Sequence, residues 1–214
     1  VGQLHRVDAA EAAAFGIRLV DQLQVGDGLA HRRKRRVDAH VREGRIDHGA
    51  LPLPQVLKII EPVASALDYA RARGVLHGNL KPSHILLDKQ ENAYLADLGH
   101  HALFYRDRRL DTNLVYASPE HVMDRPLDAR SDIYTLGLIV FEALTGSYPY
   151  LADTPTELQQ MQLTEPLPPL RLYRPDLPAG VDTVLLTATQ KDPEERYLSA
   201  SAMISDLRES LALT

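Results

Sequence analysis

From Leu53 onward the apolar residues fall into a regular pattern. Leu53, Val56, Leu57, Ile60, Val63, Ala66, Leu67 and Ala70 recur three and four apart, the spacing of one buried helix face, and Gly74 offers a natural stop. Pro62 lies inside that run and predicts a missing backbone bond or a local bend. Next, Val75-Leu76-His77, Ile85-Leu86-Leu87 and Tyr94-Leu95-Ala96 read as short strands around a polar loop, with Asp88 to Asn92 hairpin-like in composition. A strongly apolar helix is predicted over 132–145, closed by Gly146, with further helices near 154–162, 181–190 and 199–211. Pro166, Pro168, Pro169, Pro175 and Pro178 mark an irregular connection between the first two of these last three.

Residues 1–50 are patterned differently. Asp8 and Glu11 form a candidate capping box, and the helix formers that follow predict a helix near 9–24, ending before a turn at Gly26-Asp27-Gly28. His31-Arg32-Arg33-Lys34-Arg35-Arg36 is a basic run that reads as a solvated loop or helix face rather than a nucleic-acid patch. No aromatic residue is interleaved in it to stack on bases.

Composition narrows the class. With 214 residues, 44% of them hydrophobic and 25% charged, the chain matches an ordinary globular protein rather than a disordered one. It contains no cysteine, which removes disulfide scaffolds, Cys-ligated metal centres and thiol nucleophiles, and fits a cytoplasmic location. A net charge of -5 argues against nucleic acid as a partner. The longest apolar stretch, Leu136 to Leu144, is broken by Glu142 and falls well short of the ~20 residues of a membrane span, so no membrane segment is expected in this chain. The sequence opens on Val1 rather than Met, as expected of a stretch from a longer protein.

The candidate chemistry is concentrated in the middle. His77-Gly78-Asn79-Leu80-Lys81-Pro82-Ser83-His84-Ile85-Leu86-Leu87 resembles the catalytic loop of eukaryotic-like serine/threonine protein kinases, H-R-D-L-K-P-x-N-I-L-L. Asp97-Leu98-Gly99 stands where that family has D-F-G, and Tyr116-Ala117-Ser118-Pro119-Glu120 resembles the A-P-E end of the activation segment. Ser131-Asp132-Ile133-Tyr134-Thr135-Leu136-Gly137 looks like the family's central helix, and Lys191-Asp192-Pro193 with Arg196-Tyr197 like its late Arg element. The resemblance implies an α+β, protein-kinase-like fold: a mainly helical C-terminal lobe over 51–214 with a few short strands. Residues 1–50 are then a degenerate or truncated N-terminal segment, with the small lobe absent or vestigial. They contain no G-x-G-x-x-G and no Val-Ala-x-Lys strand, so the usual ATP clamp is missing from this stretch.

Phosphoryl transfer relies on positioning, metal and charge compensation rather than covalent chemistry. The resemblance assigns Asn79 and Lys81 to the catalytic positions, and His84 and Asp97 to the nucleotide-metal positions. Several of these depart from the family. Asn79 is a neutral amide at the base position, a change that alone costs about two to four orders of magnitude in rate. His84 replaces the metal-binding Asn, and an imidazole suits softer divalent metals better than Mg²⁺. Gly78 replaces the Arg that pairs with activation-segment phosphate, so control by phosphorylation is not expected even with Thr112 available.

Positions that brace the lobe are kept. Glu120 and Arg196 match a buried ion pair, and Asp132 matches the residue that accepts hydrogen bonds from the catalytic-loop backbone. His77, His84, His100 and His101 would lie near one another. They read either as a transition-metal site with Asp97 or, with more support, as structural and exposed histidines. The resemblance thus points to a pseudokinase-like module that binds or regulates a protein partner, with ATP and Mg²⁺ or Mn²⁺ bound weakly or not at all. The alternatives are a serine/threonine protein kinase recorded as a fragment and acting on a protein substrate, and a degraded kinase gene product.

Overall fold

The computed structural model describes residues 19–20, 41–42, 50–99 and 114–212. The turn at Gly26–Gly28, the basic run His31–Arg36, His100, His101 and Thr112 lie outside the described residues, as does most of the helix expected near 9–24.

Among the described residues the first helix, α1 (Leu53–Arg71), buries every apolar residue of the predicted face. It runs through Pro62 without a break, and its end is a left-handed cap at Gly74, φ 70°. There the Val75 N–H donates to the Ala70 carbonyl at 3.0 Å and the Gly74 N–H to the Arg71 carbonyl at 2.9 Å, which satisfies two orphan acceptors of the last turn. A tight chain reversal then delivers the loop of candidate residues.

Strands β1 (Leu19–Val20), β2 (Val41–Arg42), β3 (Ile85–Asp88) and β4 (Ala93–Ala96) form one small sheet in the order β1-β4-β3-β2. The β3–β4 hairpin pairs Ile85 with Leu95 and Leu87 with Ala93, as its composition implied. Its turn is organised by the Asp88 carboxylate, which accepts from the Gln90 and Asn92 N–H groups, each at 2.9 Å. Two expectations fail here. Val75-Leu76-His77 is not a strand, because the His77 N–H goes to a side-chain carboxylate, Asp132, instead of a ladder. Leu19–Val20 is not helical: it pairs in parallel with Leu95–Ala96, capping the edge of β4 that β3 leaves open.

Five more α-helices follow among the described residues: α2 (Pro119–Val122), α3 (Ala129–Thr145), α4 (Pro155–Thr164), α5 (Ala179–Ala188) and α6 (Ala200–Ala212). Central α3 starts three residues earlier than its apolar pattern suggested. Asp128 caps it, accepting from the Arg130 N–H at 2.7 Å, while the Ser131 hydroxyl accepts from the Asp128 N–H. Residues 131–141 of α3 are all buried, as befits a helix enclosed by α1, α5 and the activation-segment end. Between α1 and α6, the Asp68 carboxylate accepts from the Ala200 and Ser201 N–H groups at 2.9 and 2.8 Å, capping α6 from a distant element. No helix among the described residues is long and apolar enough to cross a membrane.

Gly137 lets α3 pack tightly on the end of α5, since a Cβ there would stand 2.8 Å from Thr189 Cγ2 and 3.2 Å from Ala188 Cβ. Gly137→Ala should therefore lower stability by about 1–3 kcal/mol through overpacking. Gly74→Ala, which meets nothing within 4 Å, should cost about 1–2 kcal/mol from its left-handed backbone alone. Urea unfolding of both variants, with Gly137→Ala repaired by Thr189→Ser and Gly74→Ala not, checks the assignment.

Candidate functional site

The loop between Val75 and His84 takes its shape from its neighbours. Asp132, in the first turn of α3, accepts from the His77 N–H at 2.9 Å and from the Gly78 N–H at 2.8 Å. Gly78 sits at φ 69°, a left-handed conformation that costs glycine little, so this residue makes the turn that points both N–H groups at one carboxylate. Burial pushes the Asp132 carboxyl up to about 6, against the two N–H bonds that favour its charged form.

His77 carries the linkage onward. Its Nδ1 accepts from the Asn79 N–H at 3.3 Å, which leaves the proton on Nε2, facing the Ala96 carbonyl at 3.1 Å. This neutral tautomer ties the loop to the end of β4, one residue before Asp97. The ring also stacks on His84, centroids 5.3 Å apart. His77 is thus a buried structural histidine.

His84 and Asp97 are brought together directly, Nε2 to Oδ2 at 3.3 Å. His84 is buried in the short 3₁₀ turn Pro82–His84, and Asp97 is half-buried at φ 59° immediately after β4. Asn79 joins this group through its N–H to the stacked His77 ring. Lys81 joins it through its carbonyl, which accepts from the His84 N–H at 2.9 Å. No group of three or more His, Asp or Glu among the described residues is placed to hold a metal ion.

The bracing pair is complete. Arg196 Nη2 lies 2.6 Å from Glu120 Oε1 and Nη1 3.1 Å from Oε2. The remaining guanidinium protons go to the carbonyls of Gln190, Arg130 and Lys191. Ser131 donates to Glu120 Oε2 at 2.9 Å while capping α3. Burial disfavours the Glu120 charge, but the bonds and charge of Arg196 and the Ser131 hydroxyl outweigh it and hold the carboxyl below its ordinary value.

Other polar contacts were not legible in the sequence. The Tyr116 hydroxyl donates to Glu142 at 2.5 Å; burial, then Glu142, hold that phenol well above its ordinary range. Glu142 interrupting the apolar run of α3 was the available signal. Gln162 is wholly buried between Tyr134 and the Leu114–Val115 backbone, in a helix whose sequence shows only a mixed pattern.

A sequence model described as the protein kinase domain matches residues 31–206. The chain belongs to the protein kinase family. Its relatives are serine/threonine kinases: it is 34% identical over 169 residues to the serine/threonine-protein kinase PknH of Mycobacterium tuberculosis, covering 77% of this chain and 27% of that protein. It is 31% identical over 166 residues to the serine/threonine-protein kinase PrkC of Bacillus subtilis, covering 75% of this chain and 26% of that one. The crystal structure of the Mycobacterium tuberculosis PknI kinase domain superposes with a TM-score of 0.59 at 29% identity, over 76% of this chain and 58% of that one. The kinase chain thus spans about a quarter of these two relatives.

The family generally uses ATP with Mg²⁺ or Mn²⁺. Magnesium does not fit the donors present here, because the Asp97 carboxylate is met by an imidazole nitrogen where a hard oxygen ligand is needed.

Arg196→Met should destabilise the fold by about 3–5 kcal/mol, because it strands a buried carboxylate. Arg196→Met with Glu120→Leu should recover a large part of that loss, and chemical denaturation of the single and double variants measures both. Asp132 gives a pH signature. Between its ordinary 3.8 and about 6 the folded chain keeps a proton that the unfolded chain has released, so its contribution to stability declines as pH rises through that window. The stability difference between wild type and Asp132→Asn should therefore move against wild type from pH 4 to pH 6 and flatten above. A difference that grows in favour of wild type over this window would contradict it.

Proposed function

We propose that this kinase-family chain is a pseudokinase-like module that binds or regulates a protein partner and transfers little or no phosphate. The observation that carries the reading is the His84–Asp97 pair, 3.3 Å apart, in which an imidazole occupies the space beside the carboxylate that a metal ion would need. Asn79 supports it, since an amide can orient a hydroxyl but has no useful basicity. In this reading Asn79 and Lys81 line the former catalytic position and His84 and Asp97 the former metal position. Residues 51–214 are the working lobe. Residues 1–50 are a reduced small-lobe remnant that adds two short strands to its sheet. Cysteine-free composition favours work in the cytoplasm.

Lys81 and Asp97, both present at their motif positions, favour a second reading: a weak serine/threonine kinase acting on protein substrates.

Thermal unfolding with ATP, separately with Mg²⁺ and with Mn²⁺, tests the two together with transfer of labelled phosphate to a generic protein substrate. A ligand at about 100 times its Kd adds roughly 2.7 kcal/mol, a shift of a few degrees for a chain of this size. The expected result is no Mg²⁺-dependent shift and no transfer. A shift of that size with Mg²⁺ and ATP, accompanied by labelled substrate, would replace the first reading with the second.

A further inference from the structure

A continuous polar chain crosses the apolar interior away from the loop just described. Lys191, in the turn after α5, directs its ammonium at the Tyr134 hydroxyl (3.1 Å) and the Tyr150 hydroxyl (3.0 Å). The Tyr134 hydroxyl donates to Gln162 Oε1 at 2.7 Å. Gln162 Nε2 donates in turn to the Val115 carbonyl at 2.8 Å and the Leu114 carbonyl at 3.3 Å. Tyr134 and Gln162 are both 0% exposed.

The direction of every bond in this chain is set at one end. An ammonium has three N–H donors and no lone pair. Tyr134 oxygen must therefore accept from Lys191 and give its one proton to Gln162 Oε1. That fixes the Gln162 amide with its NH₂ toward the two carbonyls. Tyr150, accepting from the same ammonium, gives its proton to the Glu165 carbonyl at 2.9 Å. With the amide reversed, its oxygen would face two carbonyl oxygens and its NH₂ the phenol proton, so the alternative is excluded by like-to-like contact.

We propose that Lys191 and Gln162 are the positioning residues for Leu114–Ala117, the turn that leads into α2, and that the charged state of Lys191 locks it. A neutral amine has a lone pair. It lets Tyr134 turn its proton toward Nζ, which takes from Gln162 Oε1 its donor and loosens the amide's hold on the two carbonyls. The charged groups facing Lys191 are Arg196, itself paired with Glu120, and Glu165; its other neighbours are the two phenols. Burial and then Arg196 bring the ammonium down to about 8, with Glu165 opposing, while burial holds the Tyr150 phenol up at about 12. Lys191 is therefore the group that changes state at mildly alkaline pH. The device is independent of whether the chain transfers phosphate.

Amide hydrogen exchange on the whole chain at pH 7 and pH 9, corrected for intrinsic exchange rates, reads it directly. In wild type, protection over 114–122 should fall roughly fivefold at the higher pH, the equivalent of one hydrogen bond, with the amides of α3 and α5 unmoved. Lys191→Met, which has no amine lone pair to take the Tyr134 proton, should keep the pH 7 protection at both pH values. Gln162→Glu, whose carboxylate cannot donate to either carbonyl, should show the loss already at pH 7 and no further change at pH 9. The proposal is overturned if protection over 114–122 ignores both pH and Gln162→Glu, or falls only in step with α3. Should Lys191→Met fail to fold, wild type across pH and Gln162→Glu still decide.

Discussion

The Arg196 guanidinium holds the lobe in register. It spends all five of its N–H groups, two on Glu120 and three on the carbonyls of Gln190, Arg130 and Lys191. A buried ion pair is stabilising only when its geometry is good and its remaining hydrogen-bonding capacity is met, and both hold here. Three segments converge on it: the end of the activation segment through Glu120, the start of α3 through Arg130, and the turn after α5. Ser131 extends the cluster by donating to Glu120 while its oxygen accepts from the Asp128 N–H. One residue further on, Asp132 holds the candidate loop by two backbone N–H groups. The first turn of α3 is therefore where bracing and site geometry meet, and a helix N-terminus favours the two carboxylates gathered there.

That arrangement separates the shape of the loop from its chemistry. Asp132 grips main-chain atoms, and the His77 ring bridges the Asn79 N–H to the Ala96 carbonyl, so none of these contacts depends on the side chains of Asn79 or Lys81. A loop held by its backbone keeps its path when the reactive side chains change. Gly78 adds to this, since its φ of 69° is accommodated with least strain by glycine.

The fold was legible where burial is one-sided or complete over a long run. In α1 every residue of the predicted face is buried, and α3 was evident from its apolar density, its start misplaced only because Asp128 and Ser131 cap it with polar atoms. Val75–His77 looked like a strand because three apolar or aromatic residues in a row carry no period, and the acceptor of the His77 N–H lies 55 residues away. Leu19–Val20 was misread as helix from local propensity, which the open edge of β4 overrides. In the site, motif order placed His84 and Asp97, but not their direct contact. The polar chain through Gln162 was invisible because its partners are separated by 28, 47 and 57 residues, and nothing in a local window distinguishes a buried Gln from an exposed one.

The His84–Asp97 contact also constrains what a single reversion could achieve. Replacing Asn79 with Asp would add a carboxylate to the loop while Asp97 still faces the His84 imidazole. In the proposed reading the amide at Asn79 and the imidazole at His84 go together, since changing the first alone leaves the His84–Asp97 contact in place. What stands unchanged beside the two substitutions is the braced scaffold, with Asp132 holding the loop backbone and Arg196 holding Glu120.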